Sequence, residues 1–158
     1  MNPLTMTKAG DTDLRVTRRF NASPEAVYDA HINEEKIKKW MLGPEGWTMP
    51  QCSVDGVVGG KFSYTWADES GEESFTIFGT FIELDAPNRI VHEETMEMGT
   101  DTPPMSRVTT EFSVDGEGTL MTMVISYVDA ESREAAVASG MEEGMAVSYD
   151  NLAELVAA

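Results

Sequence analysis

The chain has 158 residues, with 28 acidic and 11 basic side chains and a net charge of −17. Hydrophobic residues make up 41% of the sequence, which favours a single folded globular domain over a disordered chain. The acidity argues against nucleic acid and anionic membrane surfaces as partners, because both require a basic face.

The beginning of the chain predicts a terminal arm followed by one strand. Residues 1–12 are small and polar, and we expect them to form a flexible arm, with a single domain over residues 13–158. Residues 13–20 alternate, with Leu14, Val16 and Arg18 on one side, which is typical of a strand with one half-buried face.

Two short helices are predicted next. Ser23 is a suitable N-cap, and Pro24 stands at the first helical position, where its missing N–H costs nothing. This helix should run to about His31. Asn33 caps a second helix over residues 34–40.

The middle of the chain reads as strand after strand, separated by turns rich in glycine, proline and acidic residues. Turns are predicted at residues 43–46, at the acidic loop 68–73 and at residues 100–104. Along the predicted strand 74–84, the hydrophobic residues change from odd to even positions near Gly79, which indicates a bulge or bend there. The predicted strands cover residues 48–55, 61–66, 74–84, 89–96, 106–114 and 119–128.

The chain ends in helix, over residues 131–138 and then 140–156. The longer helix carries one apolar stripe. Its members are Met141, Met145, Tyr149, Leu152 and Val156. A sheet with one apolar face must be covered, and this helix is the only long element available. The sequence therefore predicts an α+β helix-grip fold, in which a curved antiparallel sheet of about six to seven strands surrounds a long C-terminal helix.

Four runs of residues carry a resemblance to a known family. They are Ser-Pro-Glu-Ala-Val-Tyr-Asp-Ala at 23–30, Trp-Met-Leu-Gly-Pro-Glu-Gly-Trp-Thr-Met at 40–49, Val-Gly-Gly-Lys-Phe at 58–62, and Gly-Thr-Phe-Ile-Glu-Leu-Asp-Ala-Pro-Asn-Arg-Ile-Val at 79–91. In this order they resemble the AHSA-type branch (activator of heat-shock-protein ATPase homologue) of the START-like, SRPBCC superfamily. The resemblance implies a deep cavity between sheet and C-terminal helix, in which relatives bind lipids, sterols, polyketides or hormones.

Two positions depart from the family pattern. Met145 follows Gly144 where the family has an aromatic residue near the start of the last helix, and Glu94 replaces another frequent aromatic.

The large side chains on the concave face either fill the core or line a ligand cavity. Eleven methionines favour an adaptable wall, although methionine also fills irregular gaps in a core. The candidate cavity residues are Trp40, Trp47, Phe62, Tyr64, Trp66, Phe75, Ile77, Met121, Met123, Ile125, Met141, Met145 and Tyr149.

His92 and Glu94 are the candidate polar or catalytic residues. They share strand parity with Ile90, so they face the cavity if Ile90 points inward, and they face solvent if Val91 does. Inside, the pair could orient a ligand hydroxyl or carbonyl, or act as acid and base. Tyr64 is a further polar group on this face.

Neither a metal site nor a cofactor site is predicted. The two histidines and one cysteine have no zinc-binding spacing, and the acidic loop lacks the calcium-loop pattern. Cys52 is expected to be structural, and a lone cysteine with no apolar run of 18 residues predicts a reducing, cytoplasmic location.

The first functional hypothesis is a protein that binds a small, mostly apolar molecule. The alternatives are a cyclase or hydrolase using His92 and Glu94 on an aromatic or polyketide-like substrate, and a chaperone-interacting module. Such a module would use a basic patch, for which ordinary solvated strand and helix surfaces are the other interpretation. The patch would comprise Arg15, Arg18, Arg19, Lys36, Lys38 and Lys39. Whether the chain is a monomer or a homodimer stays open.

Overall fold

The computed structural model describes residues 3–42, 46–97 and 104–157. In these ranges the strands are Thr5–Ala9 (β1), Asp13–Phe20 (β2), Thr48–Val54 (β3), Lys61–Ala67 (β4), Ser74–Asp85 (β5), Arg89–Glu97 (β6), Ser106–Asp115 (β7) and Gly118–Ser126 (β8). The helices are Pro24–Ile32 (α1), Glu34–Trp40 (α2), Ala130–Ala138 (α3) and Met141–Val156 (α4). Residues 43–45 of the first predicted turn and residues 100–103 of the last predicted loop lie outside the described residues.

All eight described strands form one antiparallel sheet in the order β1-β2-β8-β7-β6-β5-β4-β3. Strands β3 to β8 follow one another as a meander, and β2 pairs with β8 on the far side. The α+β helix-grip prediction is confirmed. The sheet has eight strands, more than the predicted six to seven, because an additional strand precedes Asp13.

That additional strand lies within the predicted flexible arm of residues 1–12, and it corrects the expectation of flexibility for Thr5–Ala9. β1 pairs antiparallel with β2, with Thr5 opposite Thr17 and Ala9 opposite Asp13. The segment is short and half-exposed, so its sequence shows little alternation between buried and exposed side chains. Backbone hydrogen bonds to β2 order it.

Both short helices begin where the capping residues predict. The Ser23 side chain accepts a hydrogen bond from the backbone N–H of Ala26, and the Asn33 side chain accepts from Glu35 and Lys36. The indole N–H of Trp40 donates to the Ala30 carbonyl at 2.8 Å. This bond fixes the end of α2 against α1.

The apolar stripe of α4 faces the core, as the spacing of its residues predicts. Tyr149 and Leu152 are buried, and Met141, Met145 and Val156 pack against the core while staying partly exposed. α4 packs against α2, α1, α3 and β2. The sheet and the helices therefore enclose one hydrophobic interior.

The phase change in β5 occurs later than predicted. Phe75, Ile77 and Phe81 all lie on the inner face, and the register against β6 shifts between Phe81 and Glu83. Gly79 has a different role. A Cβ there would lie 1.8 Å from the Glu93 carbonyl oxygen. Only glycine therefore fits at this position, where β5 lies very close to the neighbouring strand β6.

Arg18 on β2 attaches α4 to the sheet. Its guanidinium lies 2.9 Å from the Asp150 carboxylate, and the two side chains are 1% and 50% exposed. Arg18 also donates to the Arg19 carbonyl at 3.0 Å. A cation this deeply buried depends on its carboxylate partner.

We expect Gly79→Ala to lower the free energy of unfolding by about 2 kcal/mol or more, because the methyl group has no space beside the Glu93 carbonyl. The control is Gly56→Ala, where the nearest atom to a new Cβ is 3.9 Å away, and the expected change is within about 0.5 kcal/mol. Urea denaturation measures both. Equal stabilities of the two variants would contradict the close approach.

We expect Asp150→Ala to cost about 2 kcal/mol of unfolding free energy, because it leaves the Arg18 charge buried and uncompensated. Asp115→Ala, which removes the partner of the more exposed Arg19, should cost less than about 1 kcal/mol. Thermal and urea unfolding compare the two. A smaller loss for Asp150→Ala than for Asp115→Ala would disprove the anchoring role.

Candidate functional site

All thirteen apolar candidates belong to one cluster on the inner face of the sheet. Eight are buried: Trp40, Phe62, Tyr64, Trp66, Met121, Met123, Ile125 and Tyr149. Five pack against these while staying partly exposed: Trp47, Phe75, Ile77, Met141 and Met145. The structure therefore brings together the residues that the sequence analysis singled out, while their role as ligand contacts stays a prediction.

Aromatic rings connect the buried and the partly exposed members. The Trp66 and Phe75 rings stack with centroids 5.1 Å apart, and Trp47 lies 5.6 Å from Phe75. The indole N–H of Trp66 donates to the Met41 carbonyl at 2.8 Å. This hydrogen bond holds the aromatic row of β4 against the end of α2.

His92 and Glu94 lie on the inner face of the sheet, as expected for the alternative in which Ile90 points inward. Ile90 is part of the core cluster, and the His92 ring packs edge-on against Phe62 at 5.1 Å. Val91 is buried as well, although it is not a member of that cluster.

The two polar side chains form a pair. His92 Nε2 lies 2.7 Å from Glu94 Oε1, and the side chains are 17% and 28% exposed. Glu94 is opposite Gly79 on β5 and opposite Ser106 on β7, so it has small neighbours on both sides. The pair is thus partly open to a molecule placed over the inner face.

Besides burial, the charge of Glu94 contributes to the raised pKa of three tyrosines. Burial, with a smaller contribution from Glu94, raises the pKa of Tyr149 and brings the pKa of Tyr127 to about 12. Burial raises the pKa of Tyr64 in the same way, with Cys52 and Glu94 adding to the effect. All three hydroxyls therefore stay protonated at neutral pH and can donate hydrogen bonds.

Tyr127 and His31 are residues of the interior that the sequence analysis missed. Tyr127 follows Met121, Met123 and Ile125 at the same parity, and its hydroxyl contacts the Met141 sulfur at 3.6 Å. Extending the alternation of inward-facing residues beyond Ser126, the last residue of β8, would have identified Tyr127.

His31 lies on α1 one turn after the buried Val27. Its ring centroid is 5.2 Å from Trp40, 5.0 Å from Phe112 and 6.0 Å from Tyr149. The i, i+4 spacing to Val27 was the available signal for this placement. Burial, together with the neighbouring His92, lowers the pKa of His31 from 6.5 to about 4.

Two surface pockets lie outside this interior. One is formed by Trp47 and the acidic loop with Asp68, Glu69 and Ser70. The other lies against β3, β4 and β5 and includes Phe78 and Met105, side chains of the outer surface. Neither one lies between the sheet and α4, so a cavity there stays a prediction.

The six basic residues do not form one basic face, which corrects that expectation. Arg18 is buried beneath α4. Most of the others have acidic partners, because the acidic excess places carboxylates beside them. Arg19 pairs with Asp115, Lys36 with Asp29, and Lys38 with Glu34 and Glu35.

Cys52 is half-buried and free, and burial raises the pKa of its thiol to about 11, which makes it unreactive at neutral pH. Across the three described ranges, no group of three or more His, Cys, Asp or Glu side chains is placed to hold a metal ion. No helix in that part of the chain is long and apolar enough to span a membrane.

Residues 21–157 match the family model described as "Activator of Hsp90 ATPase homolog 1-like protein". A crystal structure of a protein from Rhodobacter sphaeroides is similar over 98% of both chains, with 26% identity and a TM-score of 0.89. A protein from Mycobacterium smegmatis shares the fold at 20% identity and a TM-score of 0.86, covering 98% of this chain and 97% of its own. No curated protein matches the sequence significantly.

The lowered pKa of His31 predicts a specific loss of stability in acid. As pH falls from 6.5 towards 4, the unfolded chain takes up a proton that the folded chain excludes, so folding weakens. Relative to His31→Gln, we expect the wild-type chain to lose about 3 kcal/mol of unfolding free energy over this range. Denaturation at a series of pH values gives the difference, and a difference that does not change with pH would contradict the burial of the ring.

Proposed function

The chain belongs to the Activator of Hsp90 ATPase homolog 1-like family, and we propose that it binds a small, mostly apolar molecule between the sheet and α4. The observation that carries this proposal is a set of partly exposed apolar side chains, here called the rim, that packs against the same core as the His92–Glu94 pair. The rim consists of Phe75, Ile77, Tyr127, Met141 and Met145.

The rim takes apolar side chains from both the sheet and α4. Phe75 and Ile77 come from β5, and Met141 and Met145 come from the first half of α4. A ligand that covers these side chains gains about 25 cal/mol for each Å² of apolar surface removed from water, before the cost of ordering. The flexible methionines allow the wall to fit ligands of different shape.

The polar groups on the inner face would orient the ligand. Glu94 can accept a hydrogen bond through its second carboxylate oxygen, and the Tyr127 hydroxyl can donate one in exchange for its weak contact with the Met141 sulfur. A few convergent polar groups in an apolar surround are typical of small-molecule sites. Specificity would therefore reside in these groups and affinity in the rim.

An acid–base enzyme is the second candidate, and the 2.7 Å contact between His92 and Glu94 favours it. A carboxylate that orients an imidazole is a common arrangement for proton transfer. Under this alternative, His92→Ala and Glu94→Gln would abolish turnover of an aromatic or polyketide-like substrate and change its affinity much less.

A chaperone-binding module is the third candidate, in keeping with the family description. The surface first considered for it has lost support, because Arg18 is buried and Arg19, Lys36 and Lys38 are paired with carboxylates.

Ligand binding is tested with Nile red, a neutral apolar dye that fluoresces in apolar surroundings. We expect saturable binding to the wild-type chain and at least tenfold weaker binding to Met145→Glu, because a carboxylate in the rim replaces apolar contact and repels Glu94. Fluorescence titration gives both affinities.

The matched control is Val147→Glu, which adds the same charge two residues along α4 at a more exposed position, 38% exposed. Its affinity should stay within about twofold of the wild type. The proposal is disproved if Nile red does not bind, or if the two glutamate variants weaken binding equally.

A further inference from the structure

His31 has an unusual combination of burial and hydrogen bonding. Its Nδ1 lies 2.7 Å from the Val27 carbonyl oxygen, one turn earlier on α1. Its Nε2 is buried and has no hydrogen-bond partner among the described residues. A buried polar atom without a partner is uncommon in proteins and calls for a physical explanation.

The contact with Val27 fixes the tautomer of the ring. A carbonyl oxygen only accepts hydrogen bonds, so Nδ1 must carry the proton and donate it. In the neutral ring the other nitrogen, Nε2, then has a free lone pair. Nε2 is therefore an acceptor that lacks a donor.

The His31 ring packs against the same core as the proposed site. The rings beside it come from three layers of the fold: Trp40 from α2, Phe112 from β7 and Tyr149 from α4. The interior thus holds two acceptors for hydrogen bonds, His31 Nε2 and the Glu94 carboxylate.

We propose that His31 Nε2 accepts a hydrogen bond from the bound molecule, so that the site selects apolar ligands carrying a hydroxyl or N–H group and discriminates against carboxylates. This inference rests on the proposed binding function and specifies the class of ligand. A hydroxyl supplies the donor that Nε2 lacks. A carboxylate supplies only acceptors, and its charge is repelled by Glu94.

The experiment uses four naphthalene probes of similar size: naphthalene, 1-naphthol, 1-methoxynaphthalene and 1-naphthoate. Their affinities are measured directly by calorimetry near neutral pH, where 1-naphthol is neutral. We expect 1-naphthol to bind about tenfold more tightly than 1-methoxynaphthalene, which has the same oxygen without a donor. We expect 1-naphthoate to bind more weakly than either.

Two variants locate the effect. His31→Phe keeps an aromatic ring and removes the acceptor, so the preference for 1-naphthol over 1-methoxynaphthalene, measured within the same variant, should fall to within about twofold. His31→Gln retains an acceptor oxygen and should keep part of the preference. Circular dichroism confirms that both variants are folded.

The outcomes separate this inference from the function on which it rests. If none of the four probes binds, both are overturned. If naphthalene binds but 1-naphthol shows no advantage, or if the advantage persists in His31→Phe, the role of His31 is overturned and the binding function stands. If 1-naphthoate binds most tightly, the site selects carboxylates and the inference is wrong.

Discussion

The structure depends on covering one apolar face of a strongly curved sheet. Strands β2 and β4 to β8 all direct large side chains to the same side, and none of these strands could be stable with that face in water. α1 and α2 cover one part of the face, and α4 covers another. The buried salt bridge between Arg18 and Asp150, with Tyr149 and Leu152 beside it, holds α4 in this position.

Polar groups within this interior follow a common pattern, because each needs a partner once water is excluded. Arg18 has the Asp150 carboxylate, His92 has Glu94, and the indole N–H of Trp40 has a backbone carbonyl. His31 satisfies only one of its two ring nitrogens. The Nε of Arg18 also has no partner among the described residues, but that guanidinium is bonded through its other two nitrogens. The His31 ring leaves its one acceptor unused, which points to chemistry that the fold itself does not need.

The sequence predicted most of the elements because their signals are strong. Capping residues such as Ser23 and Asn33 marked the helix starts, and the clean alternation of Phe62, Tyr64 and Trp66 marked β4 and its inner face.

β1 was missed because its five residues are partly or fully exposed and carry little pattern, and pairing with β2 creates its order. Arg18 was misjudged because its charge was considered apart from its parity with Leu14 and Val16. His31 was missed because helical spacing alone does not reveal which rings will surround a side chain.

The order of strands leaves β1 and β3 at the two outer margins of the sheet, where unpaired backbone groups invite a second chain to add on. Pro50 has no N–H to offer such a chain, and the pairing of β3 is irregular between Thr48 and Gln51. On the opposite margin, Lys8 of β1 pairs with Glu134 of α3, so a helix side chain lies beside that strand. These features interrupt the backbone hydrogen bonds that a second chain would need at the sheet edges. Copies of the chain also repel each other, because each carries a net charge of −17, and both effects oppose aggregation.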